Sequence, residues 1–337
     1  MNGARWTGVA ALGAAAWTIA ESRRRAKLPP APRAVLVTGG SRGLGLLLAR
    51  EYLRSGARVA ICARDAAELE RAKSQLDAAE GRPVLALPCD VADADQVREL
   101  VASVRLHFGR IDALVNNAGV IQVGPFEHMT RADYEEAMRV HFWAPLQVTA
   151  EVLPDMRRRR AGRIVNVASI AGVLPVPHLL PYDASKAALV GWSDGMRAEL
   201  ARDNVVVTTV CPALIRTGSP RHGVFKGRHR DEYAWFSVAD SLPVLAASAD
   251  RTARRIVRAS QLGRARVVVP AWARLPAAAY AAFPGVVLGA LALTNRLLPA
   301  PGGVGEAGVP GAESTSDASP SWWTALGERA ARRNNER

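Results

Sequence analysis

Ala34 to Gly45 reads AVLVTGGSRGLG, an aliphatic run that breaks into glycines and then continues as LLLAREYL. The first half has the composition of a strand, over Ala34–Gly40, and the second opens a helix over Leu44–Ser55. The glycines at 39, 43 and 45 permit a tight turn and the close approach of a backbone to a pyrophosphate. A helix N-terminus adds free N–H groups and a favourable dipole. Gly39, Ser41, Arg42, Gly43, Leu44 and Gly45 are therefore candidate coenzyme contacts. A glycine-rich turn by itself is a weak signal, and a plain strand–helix turn is the competing reading. The position between a strand and a helix is what favours a dinucleotide site.

Outward from this turn the same alternation repeats. Aliphatic runs at Ala57–Arg64, Pro83–Asp90, Ile111–Gly119, Gly162–Ser169, Asn204–Ala213 and Ala265–Pro270 read as strands. Helical stretches lie between them at Ala66–Glu80, Asp93–Phe108, Tyr182–Arg202 and Ala253–Gln261. A longer helical region is interrupted by Pro145 and ends near Arg160. Apolar strands alternating with amphipathic helices imply a parallel sheet covered on both faces. The second strand ends in Ala63-Arg64, where a site for NAD(H) would carry an acid against the ribose 2′-hydroxyl. Two guanidinium groups, Arg42 and Arg64, suit a 2′-phosphate, so NADP(H) is favoured over NAD(H). Asp65 comes one position late and reads as the N-cap of the next helix.

The chain has 337 residues, 49% of them hydrophobic, enough for one large domain with extensions. Its net charge is +13, and 40 of its 44 basic residues are arginine. A GC-rich coding bias and an anionic partner are competing sources of that charge. The arginines are dispersed, so no nucleic-acid partner is expected. Cys62, Cys89 and Cys211 lie far apart without metal-ligand spacing and read as reduced, buried thiols; no metal site is expected.

Three divisions follow: residues 1–30, 31–270 and 271–337. Trp6–Ala20 carries no charge and is followed by Arg23, Arg24, Arg25 and Lys27. It reads either as an anchor or interfacial helix with a cytoplasmic basic flank, or as a helix packed on the enzyme body. The expected location is cytoplasmic, with membrane association on that face as the alternative. Leu275–Asn295 is also free of charge, and could span, lie in an interface or cover a lipophilic cleft. Pro299–Ser321 is expected to be a flexible linker. Ser321–Arg333 is expected to form a short amphipathic tail, with Trp322 and Trp323 as interfacial anchors.

The remaining signal is Pro181–Leu189, PYDASKAAL, which places Tyr182 and Lys186 one helical turn apart. Together with Thr38–Gly45, Asn116–Gly119 (NNAG) and Ser169, it resembles the short-chain dehydrogenase/reductase family over roughly Arg33–Pro270. The resemblance implies a Rossmann-type, doubly wound α/β fold, mainly a seven-stranded parallel sheet with helices on both faces. It also implies nicotinamide-dependent hydride transfer at a carbonyl or alcohol carbon, and dimers or tetramers as the usual assembly. Asp90 and Val91 would then contact adenine; Asn117, Ala118 and Gly119 would line the coenzyme site; Pro212 and Thr217 would border the nicotinamide. Lys186 would also hold the nicotinamide ribose.

The residues themselves suggest the acid–base chemistry. A carbonyl that accepts hydride needs a proton on its oxygen. A free tyrosine, with a pKa near 10, is too weakly acidic to serve as an efficient base at neutral pH, and a nearby cation lowers that value. Lys186 is expected to play that part, and Ser169 to polarise the substrate oxygen. The family commonly has an asparagine where MRVHFWAPL places His141; this histidine either relays a proton or packs beside Phe142 and Trp143. Phe225, Tyr233, Trp235 and Phe236, in the stretch after Pro212, suggest a hydrophobic small-molecule substrate. The rival reading is an NADP(H)-binding regulatory or scaffold protein without turnover.

Overall fold

The computed structural model describes residues 28–336 except 318 and 320. The Trp6–Ala20 segment, and with it the anchor reading, lies outside the described residues. Seven parallel strands form the central sheet: β1 (Ala34–Thr38), β2 (Arg58–Ala63), β3 (Leu85–Pro88), β4 (Ala113–Asn116), β5 (Gly162–Val167), β6 (Val205–Pro212) and β7 (Arg266–Val269). Their spatial order is β7-β6-β5-β4-β1-β2-β3. The order reverses beside β1, so a crevice opens between the ends of β1 and β4, the usual ligand position in such sheets.

Strand alternation decides what covers each face. Val35 and Val37 of β1 pack with α1 (Gly43–Arg54), α2 (Ala66–Glu80) and α8 (Ala249–Gln261). Ala34 and Leu36 point the other way, toward α3 (Ala94–Phe108), α5 (Ala144–Arg159) and the end of α6 (Leu180–Leu200). Both sides of β1 are fully buried, as a doubly covered sheet requires. A polar ladder ties the middle of this layer together. The Asn116 amide donates to Asn166 Oδ1 (2.8 Å), and the Asn166 amide donates to Ser193 Oγ (2.9 Å). All three cysteines are buried and unpaired.

Three elements differ from the sequence reading. The long helical region is not simply broken at Pro145. It runs without a break as α4 (Arg131–Met138), a single π-turn over Arg139–Trp143, and α5, with Pro145 directly after the wider π-turn. Pro299–Ser321, expected to hang as a linker, folds back instead. Val309–Pro310 pairs with Val224–Phe225, and Gly311 N–H donates to Gly223 O (2.8 Å). Glycines let this happen: a Cβ on Gly308 or Gly311 would overlap Val224 or Pro220. Finally, the charge-free stretch forms two short helices, α9 (Arg274–Ala282) and α10 (Pro284–Asn295), bent by 118° at Phe283. Among the described residues no single helix is long and apolar enough to cross a membrane.

Candidate active site

The turn after β1 is built by contact. Gly39 has φ +62, and a Cβ there would lie 2.8 Å from Ala118 Cα. A Cβ on Gly45 would overlap the Gly39 carbonyl. Asn117 secures the turn from the opposite rim: its amide donates to Thr38 O (3.1 Å) and Gly39 O (3.0 Å). Thr38 Oγ1 accepts from Asn117 and Ala118 N–H in return. Only glycine leaves room for this approach, and the resulting cradle at the N-terminus of α1 fits a dinucleotide.

The eighteen residues singled out in the sequence as coenzyme contacts or catalytic groups all border one cavity of about 620 Å³. At its far end, Asp90 accepts from Ala92 N–H, and Val91 is buried beside it. Arg64 is exposed at the cavity edge, and Arg42 is held by Glu68 (2.5 Å). Glu68 also accepts from the Ser41 hydroxyl, so one buried carboxylate organises both turn residues. Thr217 and Pro212 stand on the rim facing the turn.

At the inner end, β5 delivers Ser169 and α6 delivers Tyr182 and Lys186. The Ser169 hydroxyl accepts from Ala171 N–H (3.1 Å) and donates to Pro212 O (3.4 Å). Tyr182 is pushed up to about 12 by loss of hydration; the Ser169 hydroxyl opposes this and the Asp183 carboxylate adds to it. Burial pulls Lys186 down to about 7. The Lys186 ammonium donates to Val167 O (3.0 Å) and lies 5.5 Å from the Tyr182 ring centroid. The expected lowering of the tyrosine by the lysine is therefore not what this geometry produces. Dehydration dominates at both groups, and the phenol stays protonated. A neutral phenol is a proton donor, suited to an oxygen that gains charge.

His141 also differs from a relay. Val120 N–H donates to its Nε2 (3.1 Å), which fixes the bare nitrogen there. Nδ1–H then donates to Ser185 Oγ (2.8 Å), whose hydroxyl donates to Tyr182 O (3.0 Å). Burial first, then the Lys186 charge, hold the ring well below its usual pKa. Both nitrogens are spent and the ring is neutral, so His141 braces the start of α6 against the loop after β4. The π-turn is what aims it inward.

The substrate end is lined by Ile121, Leu174, Val176, Leu179, Trp235 and Phe236, from loops and from α7 (His229–Ser241). Phe225 and Tyr233, expected to line it, sit behind in a buried aromatic cluster. Trp272 and Pro276 border the mouth. Sequence reasoning missed Glu68, which stands at the third helical position after its N-cap Asp65, a spacing that marks it as more than a surface acid. It also missed Glu336, which borders the cavity from far along the chain and carries no local signal.

Residues 33–222 match the family model described as short chain dehydrogenase. The ketoacyl reductase HetN of Nostoc is 37% identical over 183 residues, 54% of this chain and 63% of that protein, so the chain spans less than two thirds of this relative's length. The 11-beta-hydroxysteroid dehydrogenase-like 2 of Arabidopsis thaliana is 31% identical over 71% of this chain and 74% of its own. Among solved structures, L-sorbose reductase from Gluconobacter frateurii, complexed with NADPH and L-sorbose, superposes with a TM-score of 0.63 at 27% identity, covering 72% of this chain and 97% of that one. With the glycine cradle, the seven-stranded order and the Ser169–Tyr182–Lys186 cluster already in place, these matches mean that the chain belongs to the short-chain dehydrogenase family.

Proposed function

We propose that the chain is an NADP(H)-dependent oxidoreductase acting on a lipophilic ketone or secondary alcohol. The carrying observation is that one cavity joins the glycine cradle to Ser169, Tyr182 and Lys186. Bound nicotinamide coenzyme would supply or accept the hydride. Gly39 to Gly45 would hold its phosphates and Lys186 its ribose. Ser169 orients the substrate oxygen, and the protonated Tyr182 hydroxyl gives that oxygen its proton, so the site is set for reduction. The preference for a 2′-phosphate rests on Arg42 and the exposed Arg64, and the relative solved with NADPH supports it. Glu68 beside Arg42 works against it in part, because its charge offsets one of the two cations. The apolar substrate end supports a hydrophobic ligand, and Trp272 and Pro276 lead from that end to the α9–α10 hairpin. We infer that this hairpin rests in a lipid surface on the cytoplasmic face.

The test is a carbonyl panel with NADPH and NADH. Hydrophobic ketones should be reduced with NADPH, and Tyr182→Phe should lose about 10²–10⁴-fold in turnover while its NADPH affinity holds. Turnover confined to small polar carbonyls would refute the substrate class. Coenzyme binding without any turnover would favour the scaffold reading.

A further inference from the structure

The segment after Pro310 returns to the coenzyme cradle. Helix α11 (Ala325–Arg333) buries Gly327, Ala330 and Ala331. A Cβ on Gly327 would overlap Ser241 Oγ at the end of α7, and a Cβ on Gly218 would lie 2.6 Å from Ala331 Cα. The helix is therefore seated closely on both α7 and the loop that carries Thr217. Past it the chain turns at Asn335 (φ +57) and crosses the cleft. Asn334 O accepts from Gly43 N–H (2.9 Å), and the Asn334 amide donates to Thr217 O (3.3 Å). The Asn335 amide donates to Ser41 O (2.8 Å) and Glu68 O (3.0 Å). Glu336 is 3% exposed; its carboxylate lies 3.6 Å from Arg42 Nε and 3.1 Å from His222 Nε2. A Cβ on Gly43 would overlap that carboxylate.

Two features make this more than packing. Helix α1 has no side-chain cap of its own: Arg42 occupies the N-cap position and offers the backbone nothing. The free Gly43 N–H, which in a dinucleotide site faces phosphate, is capped by the Asn334 carbonyl oxygen. Glu336 also places a buried negative charge on the wall of a cavity meant for a phosphorylated ligand, with Oε2 lacking a hydrogen bond among the described residues.

We propose that Asn334–Glu336 form a strap that competes with the coenzyme's phosphates for Gly43 N–H and Arg42, so that strap release sets part of the coenzyme affinity. The proposal rests on the coenzyme reading above. A carbonyl oxygen and a carboxylate are the protein's own substitutes for phosphate oxygens at these donors. Their displacement exchanges one anion for another at the same positive helix end.

The experiment is direct binding by the full chain, followed by coenzyme fluorescence or calorimetry and without substrate. Glu336→Gln keeps the shape and removes the charge; Asn335→Ala removes the two hydrogen bonds its amide donates and the one its Oδ1 accepts from Arg71. Glu336→Gln should tighten NADPH by about fivefold to tenfold, a size expected from one nearby charge in a partly buried site, and Asn335→Ala by about severalfold through the lost strap bonds. Both should leave the affinity for adenosine, which carries no phosphate, unchanged. Melting curves establish that both variants are folded. NADPH affinity that is unchanged or weaker in both folded variants would overturn the strap while leaving the coenzyme reading intact. If neither wild type nor variants bind NADPH or NADH, the coenzyme reading fails and the strap with it.

Discussion

Tyr182 and His141 meet edge to face, with ring centroids 5.2 Å apart, and the two residues do different work. The tyrosine is the only one of the pair with a proton to give toward the cavity. The histidine's proton is committed to Ser185, and its bare nitrogen to Val120. A brace and a relay make different predictions for His141→Phe. The variant keeps an aromatic ring against Tyr182 but leaves the half-buried Val120 N–H without its acceptor, at a cost of about 1–3 kcal/mol, while Ser185 keeps its bond to Tyr182 O and loses only the one it accepts. Its melting temperature should fall by several degrees. Its turnover per folded molecule should stay within about tenfold of wild type, and the pH–rate profile should keep its shape. A relay would show as an inflection in the wild-type profile that disappears in the variant. Measuring kcat against pH for both proteins separates the two roles.

The elements that were legible in the sequence are those whose signal is local. β1 and most of β2 show as apolar runs, and the glycine turn shows because positive φ and close approach leave glycine as the only tenant. The π-turn over Arg139–Trp143 was not legible, because one extra residue per turn leaves no compositional trace. The docking of residues 301–316 was illegible for a related reason. Gly, Pro and Ser read as linker, yet the same small residues are what allow backbone to lie against Gly223 and Val224. The α9–α10 hairpin was legible in composition but not in shape. Neither helix buries a residue; Leu275, Val286 and Leu293 are 75%, 74% and 61% exposed. Each such side chain gains about 1.5–3 kcal/mol when fully removed from water. Arg274 and Arg296 stand at the two open ends of the bend, with Phe283 at its apex. An apolar apex between cationic ends matches a bilayer bearing anionic headgroups. The full chain should float with vesicles containing phosphatidylglycerol. Val286→Glu combined with Leu293→Glu should reduce the bound fraction at least severalfold. The Trp6–Ala20 stretch is present in both proteins, so any remaining binding reports its share. Equal flotation of the two would remove the hairpin from the interface.

The cleft and the strap hold ionisable groups that the fold has dehydrated, and stability should therefore carry a pH signature. Asp240, at the end of α7 and beside the strap, is pushed up to about 8, by burial first and then by the Glu336 charge. Asp183, which accepts from Val176 N–H, is pushed up to about 7, chiefly by burial. In the unfolded chain both carboxyls release their protons near pH 4. Between about pH 4 and 8 the folded protein thus holds protons that the unfolded chain has lost, and stability falls as pH rises through that window. Lys186 acts in the opposite sense at higher pH. Its folded value of about 7 lies below the unfolded value near 10.4, so stability rises again from about pH 7 toward 10. The largest single contribution can be isolated, because asparagine in place of Asp240 cannot ionise and can still accept from Ile215 N–H. Asp240→Asn should raise the melting temperature by several degrees at pH 8, and the gain should shrink steadily toward pH 4.5. Calorimetric scans of both proteins across that range provide the check. A difference that does not change with pH would mean that Asp240 stays ionised in the fold, and that the strap lies against a negative charge instead of a neutral acid.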